Sequence, residues 1–253
     1  MRGRIKKGTT KMGNVYLITG ASSDVGCALI RRLYQPGDLF LAQGAGDLSG
    51  LAPLVKEFPG AIHTFDVDLT DPVATDLFIE QVGRIAAPTH LVHLPALRVI
   101  NTKFKKFDEE RFELDMSVQV RSAVKLCKAF VPAMAKAKRG RVLFMLTSYL
   151  LGLPPKNTAA YIMAKSALHG LAKSLAADYA GTGVTVNCVM PSMMETKFLA
   201  DTSNLIVEAS AQANPMGRNA RVEDVVPAMA FLLGDEAGFI TGVSLPITGG
   251  SAL

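Results

Sequence analysis

Between Val15 and Ile247 the chain alternates short apolar runs of strand length with longer segments in which apolar residues recur every three or four positions. Strands are expected at Val15–Thr19, Asp38–Gln43, Ile62–Phe65, His90–Leu94, Arg141–Leu146, Val184–Met190 and Gly242–Ile247. Helices are expected at Val25–Tyr34, Leu48–Phe58, Asp71–Ile85, Glu109–Lys136, Ala159–Tyr179 and Glu223–Leu233, with Ser192–Arg218 irregular. A strand, a helix and a further strand need a crossover connection. Repeated crossovers select a doubly wound parallel sheet with helices on both faces.

A length of 253 residues suits one such domain, over residues 13–253, with no internal repeat or linker. The net charge of +5 does not indicate a nucleic-acid partner, because Arg2, Arg4, Lys6, Lys7 and Lys11 account for all of it. Residues 1–12 read as a flexible basic tail. Cys27, Cys127 and Cys188 form no CxxC pair, and no secretory leader is evident, so a cytoplasmic protein is expected. No apolar run approaches the roughly 20 residues of a membrane span.

The first strand leads into Thr19-Gly20-Ala21-Ser22-Ser23-Asp24-Val25-Gly26 and then a helix. Such a turn places backbone N–H groups and a helix N-terminus where they can hold a pyrophosphate. Gly20 permits the tight turn, Gly26 permits close helix packing, and Ser22 or Ser23 can donate to phosphate. Asp24 is repelled by phosphates, so it is expected to point away and cap the helix. The second strand ends at Gln43-Gly44, without the carboxylate that pairs with the ribose of NAD, which favours NADP(H) over NAD(H). Gln43 and Ser49 are neutral contacts to consider there, and Asp66-Val67 can meet an adenine edge. The expected fold is therefore Rossmann-type.

Tyr161 and Lys165, four apart, share one face of a helix, thirteen and more residues after Ser148. Tyr161 can give a proton to a carbonyl oxygen, or take one from an alcohol. Lys165 is expected to stabilise the phenolate and to bind the nicotinamide ribose, while Ser148 holds the substrate oxygen. A Tyr and a Lys at this spacing are also common in plain helix packing, so it is the combination with the phosphate loop that points to catalysis.

Taken in order, these motifs resemble the classical short-chain dehydrogenase/reductase family, especially its ketoacyl-carrier-protein-reductase-like members. The resemblance also includes Tyr161-Ile162-Met163-Ala164-Lys165, Val186-Asn187, Pro191 with Thr196, and Thr241-Gly242 before Gly249-Gly250. It implies that Tyr161 is the general acid/base, Lys165 its tuner and Ser148 the orienting hydroxyl. It further implies that Pro191, Met194 and Thr196 line the nicotinamide, that catalysis needs no metal, and that the chain assembles as a homotetramer or homodimer through its two long helices. Several positions depart from the family pattern. Asp24 stands for a loop glycine, and His93-Leu94-Pro95-Ala96 for Asn-Asn-Ala-Gly, with Pro95 and Ala96 still placed to line the cofactor. Ser192 replaces a glycine, and Gln119 replaces the Asn that organises a proton-relay water near Lys165.

Lys136, Lys138, Arg139 and Arg141 form a basic cluster compatible with an acidic carrier protein, and equally with a solvated helix end. His93 and His169 lack companions for a metal site. Segments 150–157 and 193–216 are expected to bound a mainly apolar substrate pocket. The expected activity is reduction of a small or carrier-bound ketone by NADPH. Oxidation of a secondary alcohol and a catalytically weak dinucleotide-sensing subunit are the alternatives.

Overall fold

The computed structural model describes residues 13–251, so the basic segment 1–12 lies outside the described residues. Seven strands form one sheet: β1 (Val15–Thr19), β2 (Leu39–Gly44), β3 (Ile62–Asp66), β4 (His90–His93), β5 (Gly140–Met145), β6 (Val184–Pro191) and β7 (Ser244–Ile247). Their order is β3-β2-β1-β4-β5-β6-β7, and every neighbouring pair is parallel. The helices are α1 (Asp24–Leu33), α2 (Ala52–Glu57), α3 (Pro72–Ile85), α4 (Glu109–Met116), α5 (Ser122–Lys136), α6 (Ala159–Asp178), α7 (Asn204–Ala213) and α8 (Val222–Leu233). This is the doubly wound Rossmann-type α/β architecture that the alternation of elements predicts.

Both faces of the central strands are buried, so β1, β2, β5 and β6 carry largely apolar runs whose side chains divide with period two. Leu17, Leu91, Val142 and Phe144 pack with Phe78, Leu126, Val131 and Leu168 on the face covered by α3, α5 and α6. Ile18, Phe40, Val92 and Leu143 pack with Leu29, Ile30, Val225 and Met229 on the face covered by α1 and α8. From β1 the chain winds outward to β2 and β3, then returns to β4 on the other side of β1. The two halves therefore diverge at β1 and β4, which opens a crevice beyond their carboxyl ends. All the candidate site residues belong to segments that leave that edge or fold over it.

Several boundaries differ from expectation. Residues 48–51 form turns, because the Asp47 carboxylate accepts the Ser49 N–H at 2.8 Å, and α2 begins only at Ala52. Asp38 lies outside β2, its carboxylate occupied by the N–H groups of Asn14 and Gln35. The long segment 109–136 is helical throughout but widens at Ser117–Arg121 into a turn of π type. Residues 192–218 are not irregular: they contain the short helical turn Lys197–Leu199 and helix α7. None of the α7 residues is buried, so local propensity forms this helix without the apolar stripe that a periodicity reading needs.

Candidate active site

At the end of β1, Gly20 takes φ +68°, and a Cβ there would stand 3.1 Å from Pro95 N, so glycine lets the β4 loop close on the turn. Gly26 lies so near the turn after β1 that a Cβ would meet the Ala21 carbonyl oxygen at 2.5 Å. The helix cap is Ser23 rather than Asp24: its hydroxyl accepts the Gly26 N–H at 3.1 Å and donates to the Gly20 carbonyl at 2.7 Å. Asp24 occupies the first helical position instead, where its Oδ2 accepts the Lys197 N–H at 2.8 Å. The N–H groups of Asp24 and Val25 have no acceptor within the helix, and the Ser22 hydroxyl has no partner among the described residues. These donors, at the positive end of a helix dipole, suit an anion.

Gln43 is buried, and its amide is fully committed. Its Oε1 accepts the Gly20 N–H at 3.0 Å, and its Nε2 donates to the carbonyls of Gly44 at 2.9 Å and Val67 at 2.7 Å. The side chain thus fastens the turn after β1 to the ends of β2 and β3, and does not reach into the crevice as a neutral ribose contact. Asp66 is exposed at the crevice edge and accepts the Gly46 N–H at 2.8 Å.

Helix α6 brings Tyr161 and Lys165 under the end of β5. The Lys165 ammonium is buried, donates to the Met145 carbonyl at 2.8 Å and lies 5.8 Å from the centre of the Tyr161 ring. Burial pushes its pKa down to about 8, while Asp115 and Cys188 act in the opposite direction. Burial likewise raises the Tyr161 phenol, with the Thr147 hydroxyl, within hydrogen-bonding reach, opposing it. Desolvation therefore dominates the shift of the phenol. Ser148 is buried beside them, its hydroxyl without a partner among the described residues. It lines a cavity of about 440 Å³ that also touches Leu151, Pro155, Met193 and Ser210, from the two segments expected to bound substrate.

Gln119 sits in the π-type turn of the long helix. Its Nε2 donates to Asp115 Oδ1 at 3.0 Å, and its Oε1 is buried without a partner among the described residues. Its main-chain carbonyl accepts the His93 Nε2 proton at 3.0 Å, so the histidine at the end of β4 braces the turn. Burial pushes Asp115 above the usual carboxylate range, although Arg111, Gln119 and Lys165 all act against it. Motif spacing does not point to Asp115 or Thr147. Their signals were local: Asp115 stands one helical turn before Gln119, and Thr147 stands next to Ser148.

Over the crevice, residues after β6 form a flap. Met194 pairs with Ala220 in a short parallel bridge, bonded through Met193 O and Glu195 N. In such a bridge the N–H and C=O of Met194 itself face the other way. At its far end the flap is held by an ion pair from Arg98 to Asp201, and Arg111 donates to the Arg98 carbonyl at 2.7 Å.

A family model described as enoyl-(acyl carrier protein) reductase matches residues 20–252. The chain is 30% identical over 243 residues to a 3-oxoacyl-[acyl-carrier-protein] reductase of Escherichia coli, across 94% of this chain and 97% of the relative. The chain belongs to the classical short-chain dehydrogenase/reductase family. It is 29% identical over 247 residues to an acetoacetyl-CoA reductase of Allochromatium vinosum, across 94% and 98% of the two chains. A crystal structure of a 3-oxoacyl (acyl-carrier-protein) reductase from Agrobacterium tumefaciens with NADP bound superposes with a TM-score of 0.85 at 28% identity, covering 94% of each chain. This short-chain dehydrogenase/reductase is an NAD(P)-dependent oxidoreductase.

Two residues of the basic cluster of this short-chain dehydrogenase/reductase, Arg139 and Arg141, have partners within the fold. Arg141, the second residue of β5, lies at the end of the strand opposite Ser148 and donates to the carbonyls of Gly140 and Gly234. Arg139 donates to Asn14. Both guanidinium groups brace the amino ends of the strands, which leaves them poorly placed to receive a carrier at the crevice. His169 contacts the Ser244 hydroxyl at 2.9 Å. Among the described residues no group of three or more His, Cys, Asp or Glu is placed to hold a metal ion, and no helix is long and apolar enough to cross a membrane.

Proposed function

We propose that the protein reduces a small ketone to a secondary alcohol with NADPH, and that Tyr161 gives the proton to the carbonyl oxygen. The reading rests on one observation: Tyr161 lies against the buried Lys165 ammonium on α6, which packs on the turn whose Ser148 lines the cavity. When bound, the reduced dinucleotide supplies the hydride. The Ser148 hydroxyl donates to the substrate oxygen and orients it toward the phenol. The Lys165 charge stabilises the phenolate left after proton transfer, and Thr147 donates to the same oxygen. Gln119 Oε1 provides a buried acceptor for the relay that returns a proton to the site.

The anion-suited donors at Ser22, Asp24 and Val25, with Gly20 and Gly26, support a pyrophosphate there. Asp66, Val67, Pro95 and Ala96 support the adenosine and ribose walls. Pro191, the main chain of Met194 and the Thr196 hydroxyl support the nicotinamide end. The end of β2 lacks a carboxylate, and the relative from Agrobacterium carries NADP, both of which favour NADP(H). The exposed Leu114, Val124 and Met163 on α4, α5 and α6 support a homodimer or homotetramer built on those helices, and three cysteines without disulfides support a cytoplasmic setting.

The test is a parallel fluorescence titration with NADPH and NADH, followed by a ketone screen on the wild type and Tyr161→Phe. Saturable binding, with turnover that falls by about 10²- to 10⁴-fold in Tyr161→Phe, is expected. Turnover that survives in Tyr161→Phe would overturn the assignment of the proton donor. Binding of neither dinucleotide would overturn the whole reading.

A further inference from the structure

Asp24 and Lys197 are 173 residues apart, yet the Asp24 carboxylate accepts the Lys197 N–H at 2.8 Å. This bond joins the first turn of α1 to the flap across the crevice. A carboxylate at this place is costly beside a dinucleotide, because like charges in a poorly solvated cleft repel one another. The compensation lies in the residue that it holds. Lys197 directly follows Thr196 and opens the helical turn Lys197–Leu199. Its side chain is exposed and forms no ion pair among the described residues.

The Asp24 bond holds the Lys197 backbone against the first turn of α1, so its exposed side chain starts at the mouth of the anion-suited turn, and its charge is felt by neighbours there. Asp47, in the loop after β2, is held below the usual carboxylate range first by the hydrogen bonds of Ser49 and further by the charge of Lys197. Cys27, on α1, is pushed up by burial and by Asp24, with Arg31 and Lys197 acting against them. Lys197 thus acts on both walls of the cleft, the β2 loop and α1, that flank the anion-suited turn.

We propose that Lys197 is a phosphate-binding residue of the dinucleotide site, and that Asp24 is the positioning residue that holds the flap there through the Lys197 N–H. The inference rests on the dinucleotide reading above and adds to it a cation from the flap. Asp24 then has a purpose where a glycine would have none: it closes the flap over the crevice and offsets its own charge with the lysine that it fastens. The bond also sets the register of Met194 and Thr196, which precede Lys197 on the same strap.

The test measures Kd for NADPH and NADH at low and high salt in the wild type, Asp24→Asn, Asp24→Ala and Lys197→Gln, with tryptic cleavage after Lys197 followed in the free proteins. Asp24→Asn keeps an oxygen acceptor and removes a negative charge, so it is expected to bind NADPH at least as tightly as the wild type. Asp24→Ala loses the acceptor: binding weakens about tenfold and the free flap is cut faster. Lys197→Gln weakens binding roughly fivefold and flattens its salt dependence. A loss confined to NADPH places the ammonium on the 2′-phosphate, and an equal loss with NADH places it on the pyrophosphate. Both outcomes support the proposal.

Wild-type affinity in Lys197→Gln would overturn the role of the lysine. Asp24→Asn as weak as Asp24→Ala, or Asp24→Ala as tight as the wild type, would overturn the role of the aspartate. These failures are distinct from failure of the function itself, in which the wild type would bind neither dinucleotide.

Discussion

The imidazole of His93 bridges two elements: Nε2 lies 3.0 Å from the main-chain oxygen of Gln119, and Nδ1 lies 2.8 Å from the Thr19 hydroxyl. A carbonyl only accepts, so Nε2 carries the proton and Thr19 donates to Nδ1. The neutral ring therefore joins the end of β1, through β4, to the widened turn that carries Gln119. Burial keeps it neutral, pushing its pKa down to about 3.

This sets an acid limit on stability. His93, at about 3, and His90, pushed down by burial to about 4, both fall below the ordinary 6.5. Each contributes stability that is fully present above the ordinary value and is lost as pH falls toward the folded one. Between pH 7 and pH 5 the loss is about 2 kcal/mol per histidine. Urea unfolding at the two pH values should show it, and His93→Asn should remove about half of the histidine contribution. An unchanged slope in His93→Asn would contradict the assignment.

Catalysis should fail on the alkaline side through Lys165 rather than Tyr161. The ammonium titrates at about 8, whereas burial raises the phenol. The rate of ketone reduction should therefore decline above about pH 8. Asp115 raises Lys165, so Asp115→Asn should move that limb toward lower pH by about one unit. A kcat/KM profile from pH 6 to 10 checks both, and a limb that stays in place would show that Asp115 is only structural.

Replacing Gln43 tests its structural role. Gln43→Leu strips partners from Gly20 N, Gly44 O and Val67 O, and should cost about 2 to 4 kcal/mol. Gln43→Glu should be no better despite its similar shape, because a carboxylate cannot donate to the two carbonyls. Thermal melts of the two variants against the wild type give the comparison.

Thr147→Val removes the hydroxyl near the phenol. The turnover number should drop by about tenfold while KM changes little, since a hydrogen bond that strengthens only as the phenolate forms acts on the transition state alone. A rise in KM without loss of turnover would place Thr147 in substrate binding instead.

Apart from α7, the order of strands and helices along the chain is legible in the sequence, as are the parallel sheet and the grouping of Gly20, Gly26, Ser148, Tyr161 and Lys165 near one edge. Period-two and helical patterns are local, and in a parallel sheet every crossover returns the chain in the same direction, so residues that follow strands gather at one edge. Tertiary structure decided the partners. Gln43 turned inward, Asp24 met Lys197, and His93 met the carbonyl of Gln119, because each bond depends on which distant backbone group comes to face a buried polar atom. It also set the direction in which the pKa values of Tyr161 and Lys165 move. Their spacing suggests a lysine lowering a phenol, but desolvation, which only the packed site sets, raises the one and lowers the other.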